Sequence, residues 1–269
     1  MEYLLGVTVS LKQDSDGQAY VASLILAGWS AFEFGSTISR TSEMSDEAVK
    51  VAVAFSKLEK LELYGTSLTD VSLEYILKME NLIKIGLPEN AKNSWIRPLL
   101  EHPKIVSLNF GCCKDITLSG VENHMGWRKI RVLDISNSGV SETSFLKHLD
   151  SLEILSANGC TNVDIRALKS DALKYFSANG SIVDSRGFVG GKSLEYLHFW
   201  NATMNSFVWL KNCTQLSEID FRGASLEISH LEGMLQGRDI TKIAVDPKLI
   251  YEAAEAKKLD RISGLVIIR

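Results

Sequence analysis

An apolar residue, two others, a second apolar residue, one other and a third apolar residue: this spacing recurs from one end of the chain to the other. It reads "LEKLEL" from Leu58, "LIKIGL" from Leu82, "IVSLNF" from Ile105, "IRVLDI" from Ile130 and "LEILSA" from Leu152. It continues as "LKYFSA" from Leu173, "LEYLHF" from Leu194, "LSEIDF" from Leu216, "ITKIAV" from Ile240 and "ISGLVI" from Ile262. Two weaker copies, "LLGVTV" from Leu4 and "WSAFEF" from Trp29, open the chain. The 12 copies start 21 to 29 residues apart, a regularity that chance matches do not produce in a chain of this hydrophobicity. Within each copy the alternation predicts a short strand that turns its second and third apolar residues into a core.

The segments between strands differ. "SDGQAYVASLILAG" predicts a helix, with Ser15 and Gln18 as a capping box, an apolar stripe, and Gly28 at its end. "SDEAVKVAVAFSK", "ISHLEGMLQG" and "LIYEAAEAKKLD" also read as helical. The short, glycine-rich "SIVDSRGFVGGK" predicts an irregular or 3₁₀ connection. No unit of this size buries its own apolar face, so neighbouring units must stack into one continuous core.

The pattern resembles the leucine-rich repeat family, L-x-x-L-x-L-x-x-N/C-x-L, over essentially the whole chain. "IVSLNFGCCKDIT" puts Cys113 at the N/C position and "LEILSANGCTNVD" puts Cys160 there, which is similar to the cysteine-containing branch. Thr66, Ser138, Ser181 and Ala224 occupy that position in other copies, and Lys248 does not fit it, so the last two turns are expected to be irregular. The resemblance implies an α/β repeat solenoid: a curved horseshoe with a parallel concave sheet and a mixed helical and irregular convex side. Residues 1–269 then form a single repeat domain, without the F-box or ligase module that members acting in ubiquitin transfer carry. A small polar or thiol side chain at the N/C position satisfies backbone groups at the strand end, so Cys113 and Cys160 are expected to be buried structural thiols.

Composition narrows the function. The chain is 45% hydrophobic and 23% charged, with a formal net charge of -4, which disfavours a sequence-independent nucleic-acid binder. The longest nearly apolar run, Ala19 to Trp29, falls short of the roughly 20 residues a bilayer crossing needs, and the N-terminus lacks the pattern of an export signal. No membrane partner and a cytoplasmic location are the expectations. The four cysteines contain no C-x-x-C pair, so reduced thiols are expected and no zinc site is readable.

No phosphate-binding glycine loop, zinc-protease motif or nucleophile elbow is present. "KQDSDG" at Lys12–Gly17 begins like a calcium loop, but it lacks the third acid and the distal glutamate. No cofactor, metal or catalytic residue is expected. The remote enzymatic alternative uses His198, the one strand histidine of five, with Asp220, which is level with it one turn on.

The repeat also says which side chains face outward from the sheet. Val132 and Asp134, then Ile154, Ser156 and Asn158, precede Tyr175, Ser177 and Asn179. Next come Tyr196, His198 and Trp200, then Glu218, Asp220 and Arg222, then Lys242 and Asp246. Of the five tryptophans only Trp200 falls on this face, beside Tyr175 and Tyr196 and level with Arg222, a neighbour suited to a cation–π contact. Such residues dominate binding hot spots, at roughly 2 to 4 kcal/mol each when central. The partner-binding patch is therefore expected at Tyr175, Tyr196, His198, Trp200, Glu218, Asp220 and Arg222. The competing reading is cross-strand packing alone. The expected function is a protein-binding scaffold acting through the concave face, as an inhibitor, immunity protein or adaptor. The alternative is a structural protein that self-associates through its apolar, uncapped ends, Leu4–Val9 and Leu265–Ile268.

Overall fold

The computed structural model describes residues 45–53, 58–224 and 241–246, together with the backbone of short strands at 2–4, 7–9, 31–32, 37–39 and 266–267. Contacts divide the chain into two compact units, Met1–Gly126 and Trp127–Arg269. The helices expected from "SDGQAYVASLILAG", "ISHLEGMLQG" and "LIYEAAEAKKLD" lie outside the described residues.

In the first unit, β1 (Glu2–Leu4) and β2 (Val7–Val9) form an antiparallel pair, and β3 (Ala31–Phe32) joins β2 in parallel. A parallel ladder then runs through β4 (Thr37–Ser39), β5 (Lys60–Glu62), β6 (Lys84–Gly86) and β7 (Ser107–Asn109), with Ile38, Leu61, Ile85 and Leu108 in register. The outer connections carry helices α1 (Asp46–Ala52), α2 (Asp70–Ile76) and α3 (Ile96–Glu101). Thr69 caps α2 by accepting from the Val71 N–H, and the Asp46 carboxylate in turn accepts from the Thr69 N–H and hydroxyl, at 3.0 and 2.6 Å. The start of α1 thus fixes the start of α2.

The second unit repeats the ladder through β8 (Val132–Asp134), β9 (Ile154–Ser156), β11 (Tyr175–Ser177), β13 (Tyr196–His198), β15 (Glu218–Asp220), β16 (Lys242–Ala244) and β17 (Val266–Ile267). Leu133, Leu155, Phe176, Leu197, Ile219 and Ile243 stand opposite one another in turn, all buried. In the same core Phe176 meets Phe199, and Phe199 meets Phe221, edge to face, with centroids 5.0 and 5.7 Å apart. Three turns add a second, two-to-three-residue parallel ladder: β10 (Val163–Asp164), β12 (Ile182–Asp184) and β14 (Thr203–Met204). The strand β12 opens the connection expected to be irregular, and the rest of it, residues 185–192, contains only turns and irregular backbone. Among the described residues, 3₁₀ turns lie at Ser144–His148 and Val208–Asn212, and another, Met125–Lys129, leads into β8. This is a leucine-rich-repeat coil, one parallel strand per turn.

One local rule recurs where the chain leaves the sheet. Counting the first apolar residue of each copy as position one, position eight has left-handed backbone in seven of the eight described turns from Leu58 to Leu216. These are Gly65, Cys112, Asn137, Gly159, Gly180, Asn201 and Gly223, with φ between 52° and 71°. Position nine then folds back. The Thr66 and Ser138 hydroxyls donate to the carbonyls of Leu63 and Ile135, at 2.6 and 2.7 Å, and Ser181 reaches the Ala157 carbonyl of the preceding turn at 2.6 Å. The Cys113 and Cys160 thiols do the same for Pro88 and Ile135 of the preceding turns. Both thiols are buried, and burial pushes the Cys113 thiol up to about 12, which keeps it protonated at neutral pH.

Three features depart from the repeat read in the sequence. Leu4 and Val7, taken there as two positions of one strand, are paired across β1 and β2. The strand beside β5 is Thr37–Ser39, not the "WSAFEF" copy, whose Phe32 pairs with Val9. At the other end, Ile243 stands opposite Ile267 and not the expected Leu265, a shift of two residues that preserves which face each side chain takes.

The position-eight rule predicts a graded response to alanine. Nothing lies within 4 Å of a Cβ built on Gly180, whereas one on Gly159 would overlap the Asn137 Oδ1. Gly180→Ala should cost about 1 kcal/mol, the left-handed strain alone, and Gly159→Ala distinctly more, as read from urea unfolding midpoints. Equal costs would show that the asparagine does not constrain the turn.

Candidate interaction face of the second unit

The ladder of the second unit sets its outward side chains in three rows. Parallel register makes the first row Val132, Ile154, Tyr175, Tyr196, Glu218 and Lys242. The second row is Asp134, Ser156, Ser177, His198 and Asp220. Position seven supplies the third: Ser136, Asn158, Asn179, Trp200 and Arg222. All seven residues expected to form the patch share this face.

The third row is held by its own amides. The Asn158 Oδ1 accepts from the Ser177 hydroxyl and the Asn179 N–H, at 2.6 and 2.8 Å, and the Asn179 Oδ1 accepts from the Trp200 N–H at 2.8 Å. The Gly180 N–H donates to the Trp200 carbonyl at 2.7 Å. Both polar groups of the Trp200 backbone are therefore held by the preceding turn, while the residue is 52% exposed. Tyr196 and Ile154 are 39% and 37% exposed, and Tyr175 is half-buried between them. The Tyr175 and Tyr196 rings are tilted with centroids 6.4 Å apart.

Polar side chains border this apolar row. The Tyr175 hydroxyl lies 3.3 Å from His198 Nδ1, and the two rings meet edge to face. On the other side His198 Nε2 lies 3.3 Å from Glu218 Oε1, close enough for an ion pair but off the angle of a hydrogen bond. The Glu218 Oε1 also takes the Lys242 ammonium at 2.5 Å. Asp220 is bound elsewhere. Its carboxylate receives the Arg222 guanidinium as a fork, Nε at 3.0 Å and Nη2 at 2.6 Å, and the Arg222 N–H at 3.1 Å. Burial alone would raise the Asp220 carboxyl, but the Arg222 bonds outweigh it, and the carboxyl sits below its ordinary value.

These contacts correct two expectations. His198 and Asp220 are level in the ladder, as the repeat predicts. They do not form a dyad, because Asp220 is committed to Arg222 and the carboxylate facing His198 is Glu218. Nor does Arg222 make a cation–π contact with Trp200. The guanidinium is drawn to the nearer full charge, and the cation–π pair among the described residues is Lys78 over Tyr75. Val132 and Ile154 extend the apolar row by two strands beyond the expected patch. Their strand position marks them as displayed, but neither is a residue type that hot-spot statistics favour.

No family model and no curated protein matches the chain. Among solved structures it is similar to an internalin (InlF) from Listeria monocytogenes str. 4b F2365, with 14% identity over 87% of this chain and 86% of that one and a TM-score of 0.42. An internalin C2 (InlC2) from the same strain gives 16% identity over 87% and 80%, with a TM-score of 0.41. A leucine-rich repeat protein from Bacteroides thetaiotaomicron VPI-5482 gives 12% identity over 82% and 30%, with a TM-score of 0.44. At this level of likeness they carry no information on what this chain binds.

Because Asp220 is depressed in the folded state, the fork stabilises the fold above the unfolded carboxylate pKa and is lost as pH falls through the lower, folded value. A carbon-detected NMR titration should place the Asp220 midpoint below 3.8 in the native protein. In Arg222→Ala, burial is left uncompensated and the midpoint should rise past that of the native protein. An unchanged midpoint would remove Arg222 as the cause.

Proposed function

We propose that this chain is a protein-binding module without catalytic activity of its own. Its partner docks on the strand face of the second unit, centred on Tyr196 and Trp200. The observation that carries this reading is an exposed tryptophan whose backbone N–H and carbonyl are both hydrogen-bonded, beside a partly exposed apolar row. Rigid, amphipathic aromatics bind at low entropic cost, because the scaffold has already ordered them. The neighbouring charges suit the rim of such an interface: Glu218 with Lys242, and Asp220 with Arg222, are mutually satisfied and can stay hydrated when a partner covers the centre.

Roles as an inhibitor, immunity protein or adaptor fit a single rigid face of this kind. We extend the reading to a reducing, cytoplasmic setting, supported by four free cysteines, three of them buried. Among the described residues no helix is long and apolar enough to cross a membrane.

The test compares capture of a native partner by the wild type with capture by the Trp200→Ala and Tyr196→Ala variants. Each should weaken binding by about 2 kcal/mol, close to thirtyfold in Kd. Unfolding free energy should stay within about 0.5 kcal/mol, since both side chains project from the surface. Arg222→Ala is a poorer probe, because it also strands Asp220. Undiminished capture by both aromatic variants would refute the docking site.

A further inference from the structure

A second feature of the same unit lies off the strand face. The connections that lead into β11, β13 and β15 border a groove of about 700 Å³. Leu168, Lys169 and Asp171 line it from the first connection, Val189, Gly190 and Lys192 from the second, and Lys211, Asn212 and Thr214 from the third, with Arg166 at its edge. Four cationic residues thus line the groove against a single carboxylate residue, Asp171. The protein as a whole carries a net charge of -4, so this concentration runs against its average.

The four cations are not equivalent. Arg166 is already neutralised: it forks onto Asp164, with Nη2 to Oδ2 at 2.6 Å, and its Nε lies 3.5 Å from Asp184. Lys169, Lys192 and Lys211 are exposed, and among the described residues none of the three has an ion-pair or hydrogen-bond partner at its ammonium group. Three like charges brought to one groove by three successive turns repel each other, and an anion between them relieves the repulsion. Ammonium groups act as point charges, without the planar fork that singles out a carboxylate, and they suit the spread charge of phosphate groups. The groove has the volume of a small-molecule site, and the aliphatic side chains of Leu168 and Val189, the latter 74% exposed, give it an apolar wall.

We propose that this groove binds a small organic ligand carrying two or more phosphate groups, with Lys169, Lys192 and Lys211 as its anion contacts. The ligand is either free in solution or the phosphorylated headgroup of a lipid. The proposal is independent of the docking site, since none of the groove residues belongs to the aromatic row.

Calorimetric titration with inorganic tripolyphosphate tests it. The native protein should bind, more weakly as salt is raised. The Lys169→Gln, Lys192→Gln, Lys211→Gln triple variant, checked for native circular dichroism, should bind at least about tenfold more weakly. Asp171→Asn should bind more tightly, a gain that a purely structural role of the groove does not produce. Sedimentation with phosphoinositide-containing vesicles, reversed by tripolyphosphate, would assign the headgroup as the source. Binding of tripolyphosphate without sedimentation would assign a free ligand. Absence of binding by the native protein at low salt, or equal affinity in the triple variant, would overturn the site.

Discussion

Each rung of the sheet is two or three residues long, and in seven of the eight described turns from Leu58 to Leu216 the chain leaves it through a single residue with left-handed backbone. That residue turns the chain out of the ladder, and the next one reaches back to occupy a carbonyl that the turn would leave unpaired. Thr66, Ser138, Ser181, Cys113 and Cys160 all do this with different chemistry, and all need only a short side chain with a donor. The constraint explains why glycine and asparagine recur at position eight. It also explains why Cys112, exposed and of no evident chemistry, adopts a φ of 66°. Because every turn ends at the same depth, the strands stay in register, and the outward rows of side chains follow from that register.

Most of this architecture was legible in the order of apolar residues. From Leu58 to Phe221 every apolar position of the repeat is buried, because no other surface covers it. The ends were harder to read. Leu4 and Val7 satisfy the spacing, yet an antiparallel pair also places apolar residues three apart, and periodicity alone does not separate the two. The strand at Thr37–Ser39 escaped notice because Ile38 lacks apolar neighbours at the flanking repeat positions. The second ladder was hidden for a similar reason: β12 lies in a stretch whose glycines argue for a loop, and its pairing with β10 is a property of stacking, not of local sequence.

The candidate face was legible as a set of positions but not as a set of partners. Register placed Tyr175 beside Tyr196 and His198 beside Asp220 correctly. It did not reveal that Asp220 prefers the guanidinium two residues further along its own turn, which leaves Glu218 to face His198. Side-chain length and charge decide such choices, and backbone register does not encode them. The effect on the patch is a division of labour. Its charges are satisfied internally, while its aromatic and aliphatic side chains remain open. A face with that balance gains more from burying apolar surface than from making new ion pairs, since the desolvation of already paired charges is avoided when they remain at the rim.

The claim that the partner covers the apolar row can be tested most directly by hydroxyl-radical footprinting of the protein with and without its native partner. The account predicts that oxidation of Tyr196 and Trp200 falls sharply in the complex, that Ile154 is protected with them, and that Val189 on the outer connections is not. Unchanged oxidation of Tyr196 and Trp200 in a saturated complex would contradict it.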